Sequence, residues 1–208
     1  MKTFPGMSLA SIWSIVAVCM LLLTGCQVAG ERAAGTDPTP AATSINPTPT
    51  AVPVYKPADA SGRAQNVRVP VKPALADVNS KEGLEAFTAY WYELLTYGYE
   101  SGDTGPWNAA TETGCALCET LTTGLAESYA EERWLVGGRL TTPSIEADWK
   151  DGEDTQSVAV QVIQGRIEFY GPANIQPFPP LESTNVTASF FAKHFSGHWT
   201  VIEVGHLV

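Results

Sequence analysis

Residues Asn79–Asp103 read NSKEGLEAFTAYWYELLTYGYESGD. Apolar residues fall at Leu84, Phe87, Tyr90, Trp91, Leu94, Leu95 and Gly98, the spacing of one helix face. Asn79 or Ser80 caps the start, and Glu82, three residues after Asn79, completes a capping box. Ser101-Gly102-Asp103 is a stop signal. A long aromatic helix is therefore the first element of the folded part, and the segments downstream of it decide the class.

After this helix, Trp107 lies in a short second element behind Pro106, and a third helix runs from about Cys115 to Arg133, stopped by Gly137-Gly138. Leu117, Leu121, Leu125 and Tyr129 share one side of it. The rest reads as strands. Arg139–Trp149 and Thr155–Tyr170 flank a turn containing Asp151-Gly152. Asn185–Phe195 and His198–Val204 flank Ser196-Gly197, and GPANIQPFPPL over 171–181 is a Pro-rich loop. Helices first and an antiparallel sheet after them is an α+β pattern.

Upstream, residues 27 to 75 carry eight prolines, many Ala, Thr and Ser, and no hydrophobic periodicity. Such a stretch buries too little apolar surface to offset its conformational entropy and reads as a semi-rigid spacer. YKPADASGRAQNVRVPVKPAL, residues 55–75, is richer in Val, Asn and Arg, and part of it is a candidate to dock on the domain. Before the spacer, Lys2 is the only charge in the first 30 residues, and Leu9–Leu23 is a fifteen-residue apolar run. That length suits a signal-peptide core better than a membrane span. The expected organisation is a leader over 1–25, a tether over 26–75 and an α+β domain over 76–208.

Among the 208 residues, acids outnumber bases 22 to 12, for a net charge of −10. That balance excludes a nucleic-acid binder, which needs a basic face. The imbalance sits in the domain: residues 76–208 hold six bases and nineteen acids, whereas 26–75 hold five bases and three acids.

Leu23-Thr24-Gly25-Cys26 closes the apolar run and resembles the bacterial lipobox. The resemblance implies a diacylglycerol thioether on Cys26, cleavage before it, and a protein held by its acyl chains on the extracytoplasmic side of the cell membrane. Acyl chains anchor firmly in pairs, since each buried methylene contributes about 0.8 kcal/mol. The element order resembles the cone-shaped fold of nuclear-transport-factor-2-like and ketosteroid-isomerase-like domains. More closely, the lipobox and spacer together with YKPA, AQNVRVPVKP, GLEAFTAYWY and CALC make the chain similar to a family of uncharacterised actinobacterial lipoproteins. The cone resemblance implies a curved sheet around an apolar pocket, with Tyr90, Trp91, Trp149, Tyr170 and Trp199 as candidate lining; the same rings would also serve as plain core.

Cys115 and Cys118 lie at a helix start, where the dipole lowers a thiol's pKa. Outside the membrane such a pair is expected to be oxidised. It reads as a structural bridge, with thiol–disulfide exchange as the alternative; no βαβ pattern surrounds it, and zinc would need further ligands, for which there is no second Cys pair. A two-residue turn at Ser196-Gly197 pairs His194 with Trp199 and Phe195 with His198, so the two histidines face opposite sides and share no ion. Asp148, Asp151, Glu153 and Asp154 lack calcium-loop spacing and read as a solvated hairpin tip. No resident cofactor or metal is expected, and no catalytic residue is assigned. The expected function is an envelope lipoprotein that binds a small apolar molecule or a protein. An isomerase- or dehydratase-like enzyme on the same fold is the alternative, and it needs a buried carboxylate in the pocket.

Overall fold

The computed structural model describes residues 53–206. The leader, Cys26 and the spacer up to residue 52 lie outside the described residues. A 3-10 turn, Ala74–Asp77, precedes three helices: α1 (Lys81–Ser101), α2 (Gly105–Ala109) and α3 (Ala116–Tyr129). Six strands come next: β1 (Trp134–Gly137), β2 (Leu140–Asp148), β3 (Thr155–Gln164), β4 (Ile167–Tyr170), β5 (Thr184–Phe195) and β6 (His198–His206). The class is α+β, as the order of elements predicts.

Ser80, not Asn79, caps α1: its Oγ accepts from the Gly83 N–H at 3.0 Å. This shifts the expected capping box out of register and puts Gly83 where a Glu would sit. At its other end α1 stops at Gly102, whose φ of 80° is the left-handed conformation glycine adopts freely. The buried arc of α1 is wider than the predicted stripe. Tyr92 and Tyr99 are buried with it and Tyr90 only half so, because α1 packs on β1, β2, α2 and the 3-10 turn.

The main sheet has the order β2-β3-β5-β6, all antiparallel, and it is open. Val158, Val160 and Val162 of β3 alternate with Phe190 and Ala192 of β5 in one buried face. A bulge opposite Phe191 and Ala192 keeps both Val201 and Val204 on that face. Both edges are covered. On β2, Glu85 accepts from Ala147 N and Thr96 from Leu140 N. On β6, Val201 exchanges backbone bonds with Ala110 and Glu112. An edge strand so paired is closed to further strands.

Two predicted elements come out differently. The third helix ends at Tyr129, because Glu131 and Glu132 both turn through positive φ and Trp134–Gly137 then pairs with Ile167–Tyr170. The single strand expected over 155–170 breaks at Gly165-Arg166, which frees β4 for that second, two-stranded sheet.

Residues 53–78 form an arm against the domain. Lys56 and Gln65 pair in a short hairpin whose tip is Asp59–Gly62. Three side chains of the domain bond to the arm's backbone: Trp134 Nε1 donates to Asp59 O at 2.9 Å, Trp199 Nε1 to Val78 O at 3.0 Å and His194 Nε2 to Asp77 O at 3.0 Å. Ala76 is fully buried.

Candidate functional site

The inner face carries large rings at Phe190 of β5 and Trp199 of β6, and only smaller side chains toward the other end: Ala188, Val186 and Thr184 on β5, Val201 and Val204 on β6, with Gly205 beside them. The helices lie over the whole face, so the end with small residues is left unfilled. There α1, α3 and the sheet line a chamber of about 410 Å³ that is half open to solvent, with Thr184 exposed at its mouth. Trp91, Tyr92 and Leu95 come from α1, and Leu117 and Leu121 from α3. Leu140, Val162, Val186, Ala188 and Val204 close the sheet side, and Gln164 and Thr184, paired across β3 and β5, sit on the wall as polar groups. At about 30 Å³ per water-sized group the space admits a molecule of roughly a dozen heavy atoms.

Trp91 anchors the deep side. Its ring packs 5.1 Å from Trp107, 5.4 Å from Phe190 and 4.9 Å from Tyr92. Its Nε1 donates to Thr111 Oγ1 at 2.9 Å. Tyr92 is 5% exposed and lines the chamber, 6.2 Å between ring centroids from Phe190. Burial pushes its phenol pKa far up, so the hydroxyl stays protonated throughout the physiological range. Among the described residues the buried side-chain polar atoms without a hydrogen-bond partner are Trp107 Nε1 and Arg133 Nε, and the Tyr92 hydroxyl is not one of them. The wall carries no Asp, Glu, Lys or Arg.

Of the five candidate lining aromatics, Trp91 alone is on the wall. Tyr90, one residue along α1, packs half-buried against the core. Trp149 and Trp199 lie at the other end of the sheet, 6.2 Å apart in an edge-on pair that also includes His194. Nine residues of β2 separate Trp149 from Leu140, on the order of 30 Å of extended strand. Tyr170 belongs to the small sheet and stacks on Trp134 at 6.0 Å. Rings spaced widely in sequence thus serve three separate clusters. Tyr92 is missed by the helical period because the predicted stripe stops at its neighbour. The absence of a large ring beyond Phe190, at Ala188, Val186 and Thr184 of β5, is the sequence signal that points to the chamber.

The Cys115–Cys118 bridge is present and caps α3: Cys115 Sγ accepts from Cys118 N at 3.3 Å. Both sulfur-bearing residues are buried, at 1% and 4% exposure. His194 pairs with Trp199 and Phe195 with His198, the register expected of the Ser196-Gly197 turn, so the two histidines face opposite sides. The acidic residues from Asp148 to Asp154 are exposed on the β2–β3 turn. Asp151 accepts from Trp149 Nε1 at 2.7 Å, and Gln156, 2% exposed, ties the turn with three bonds to Lys150 and Glu153. A further hollow of about 310 Å³ lies between the arm and α1, but its walls are charged and its Arg139 is already paired with Glu100 at 2.9 Å.

The fold and site define an α+β domain with an apolar chamber at one end of an open sheet. The chain belongs to DUF6318, a family of unknown function whose model matches residues 53–205. Among solved structures, the intermembrane space region of chloroplast protein ARC6 is similar at 10% identity and a TM-score of 0.46, over 63% of this chain and 98% of that one. No curated protein matches the chain.

Proposed function

We propose that this domain binds a small apolar molecule in the chamber between α1, α3 and the sheet, and that lipidated Cys26 holds it on the outer side of the cell membrane. The observation that carries the reading is the chamber itself: concave, walled almost wholly by apolar side chains, with a few polar groups, which is how small-molecule sites are built. The lipobox and the spacer supply the anchoring half of the proposal. A cone-like arrangement, helices laid over the inner face of a sheet, belongs to the same proposal.

Binding is favoured over acid–base catalysis by the chemistry of the wall, which offers no carboxylate with which to take a proton. It is favoured over thiol–disulfide exchange by the burial of Cys115, since an attacking thiol must reach its target.

The test is native mass spectrometry of the mature chain without its lipidated Cys26, residues 27–208, from a near-native host, beside the same chain carrying Ala188→Phe. Ala188 is on the chamber wall at 4% exposure, so a phenyl ring there occupies ligand space. The expected result is a retained small molecule on the natural chain and none on the variant, which still folds. An empty natural chain, or equal retention by both, refutes the reading.

A further inference from the structure

The chamber has a direction. Along the inner face of β5 burial deepens step by step: Thr184 is exposed, Val186 half-buried, and Ala188 and Phe190 buried. β3 repeats the gradient, from half-buried Gln164 to buried Val162 and Val160. Gln164 pairs with Thr184 on one side and with Leu140 on the other, so a single row across three strands forms the mouth. At the deep end Trp91 closes the space, its ring packed 5.4 Å from Phe190. From Thr184 to Ala188 is about 13 Å of strand.

Polarity follows the same axis. The wall holds no Asp, Glu, Lys or Arg. Charges begin immediately outside the mouth: Arg139 adjoins Leu140, Arg166 lies two residues past Gln164, and Glu182 lies two before Thr184. These charges are already paired, Arg139 with Glu100 and Arg166 with both Glu168 and Glu182. An uncharged interior under a polar, internally neutralised rim disfavours a ligand whose buried end is polar, and it leaves room for a polar group that stays in water.

Resting on the reading of the chamber as a binding site, we propose that its ligand is a single-chain amphiphile held tail first, with an uncharged polar head left outside the Leu140–Gln164–Thr184 row. Inside, the chain meets Leu95, Leu117, Leu121 and Val186 and ends against Trp91. The volume of about 410 Å³ corresponds to a chain of roughly a dozen carbons. Affinity then comes from buried methylenes, so it grows with chain length only until the chamber is full. The head contributes little, because it remains in water.

The experiment titrates the chain over residues 27–208 and its Ala188→Leu variant with n-alkyl maltosides of six to fourteen carbons, each below its micelle concentration. Tryptophan fluorescence is the readout, since Trp91 is on the wall. Octyl glucoside and tetralin, a compact hydrocarbon, are companion probes. On the natural chain affinity is expected to rise about three- to fourfold per added methylene, then level off near a dozen carbons. Octyl glucoside should match octyl maltoside within about twofold, because a head left in water adds little affinity. Ala188→Leu adds bulk at the deep end and should bring the plateau down by about three carbons, leaving the hexyl maltoside unchanged. Affinity that ignores chain length, or climbs through fourteen carbons without a plateau, overturns the assignment. So does a folded variant whose plateau stays in place, or a tenfold gap between the two octyl glycosides. If the variant does not melt cooperatively, the plateau and the glycoside comparison on the natural chain decide the matter. Binding of tetralin with failure of every maltoside sinks the tail-first assignment and keeps the chamber a binding site. Failure of tetralin and the maltosides alike on the natural chain takes down both.

Discussion

Gly83 and Gly124 sit in helices and predict opposite outcomes for the same substitution. A Cβ on Gly83 would meet the backbone carbonyl oxygen of Val78 at 2.0 Å, a contact that no side-chain rotation relieves. Gly83→Ala should therefore destabilise the fold by ~3 kcal/mol, the upper part of the overpacking range. A Cβ on Gly124, in the interior of α3, meets nothing within 4 Å. Gly124→Ala should stabilise by about 0.5–1 kcal/mol through helix propensity and a less flexible unfolded chain. Chemical denaturation of both variants checks the pair, and a stable Gly83→Ala would mean that the arm does not press on α1. The same site shows where spacing alone misleads. Glu82 looks like the partner of an Asn79 cap because spacing is the only cue, whereas the close approach of Val78 to α1 requires glycine at 83. That approach is a tertiary contact, and one-dimensional spacing carries no trace of it.

Of the two long helices, α3 has the weaker hold of its own, since Leu125 and Cys118 are its only buried residues against eleven in α1. The bridge compensates. Closing a loop of so few residues is worth about 2 kcal/mol in the chain-entropy model. Cys115→Ala with Cys118→Ala should lower the melting temperature by about 4–8 °C in a domain of this size. Because both sulfurs are buried, reduction of the natural chain should need opening of the α3 start and accelerate with denaturant. Fast reduction by a mild thiol with no denaturant would revive the exchange reading. Most elements are legible in the sequence: α1 by its period, the β2–β3 and β5–β6 hairpins by their turn residues, and the bridge by its two cysteines three residues apart at a helix start. The small sheet is not. Trp134–Gly137 is too short to show alternation, and β4 runs on in sequence from β3, so its separate pairing depends on the break at Gly165-Arg166 and on contacts made only after folding. The chamber is half legible for a related reason: alternation reveals which face is inside, and only the helices above it determine which end stays unfilled.

For the whole molecule, the question is what fixes the arm to the domain. Charge is one candidate, since the arm carries Lys56, Arg63, Arg68 and Lys72 and the domain is strongly acidic. Yet among the described residues no salt bridge joins arm to domain: Lys56 pairs with Asp59 and Lys72 with Asp77 inside the arm itself, and exposed pairs of this kind contribute about 0–1 kcal/mol and fade with salt. Burial points elsewhere. Trp199 is 2% exposed and Trp134 8%, and each spends its indole N–H on an arm carbonyl, so removing the arm leaves two nearly buried donors unpaired at about 1–3 kcal/mol apiece. It also removes the buried Ala76 and uncovers the Trp149–Trp199–His194 cluster. A chain starting at residue 79 should therefore melt well below the mature chain, by more than about 10 °C or without a cooperative transition. A chain starting at residue 66, which gives up the Asp59 contact and keeps Asp77 and Val78, should fall between the two. The melting temperature of the mature chain should change by only a degree or two between low and moderate salt. If instead the chain from 79 melts with the mature protein, the arm is merely adherent, and the folded unit begins at α1. If the melting temperature falls steeply with salt, the basic residues hold the arm and the indole bonds are a consequence of its docking.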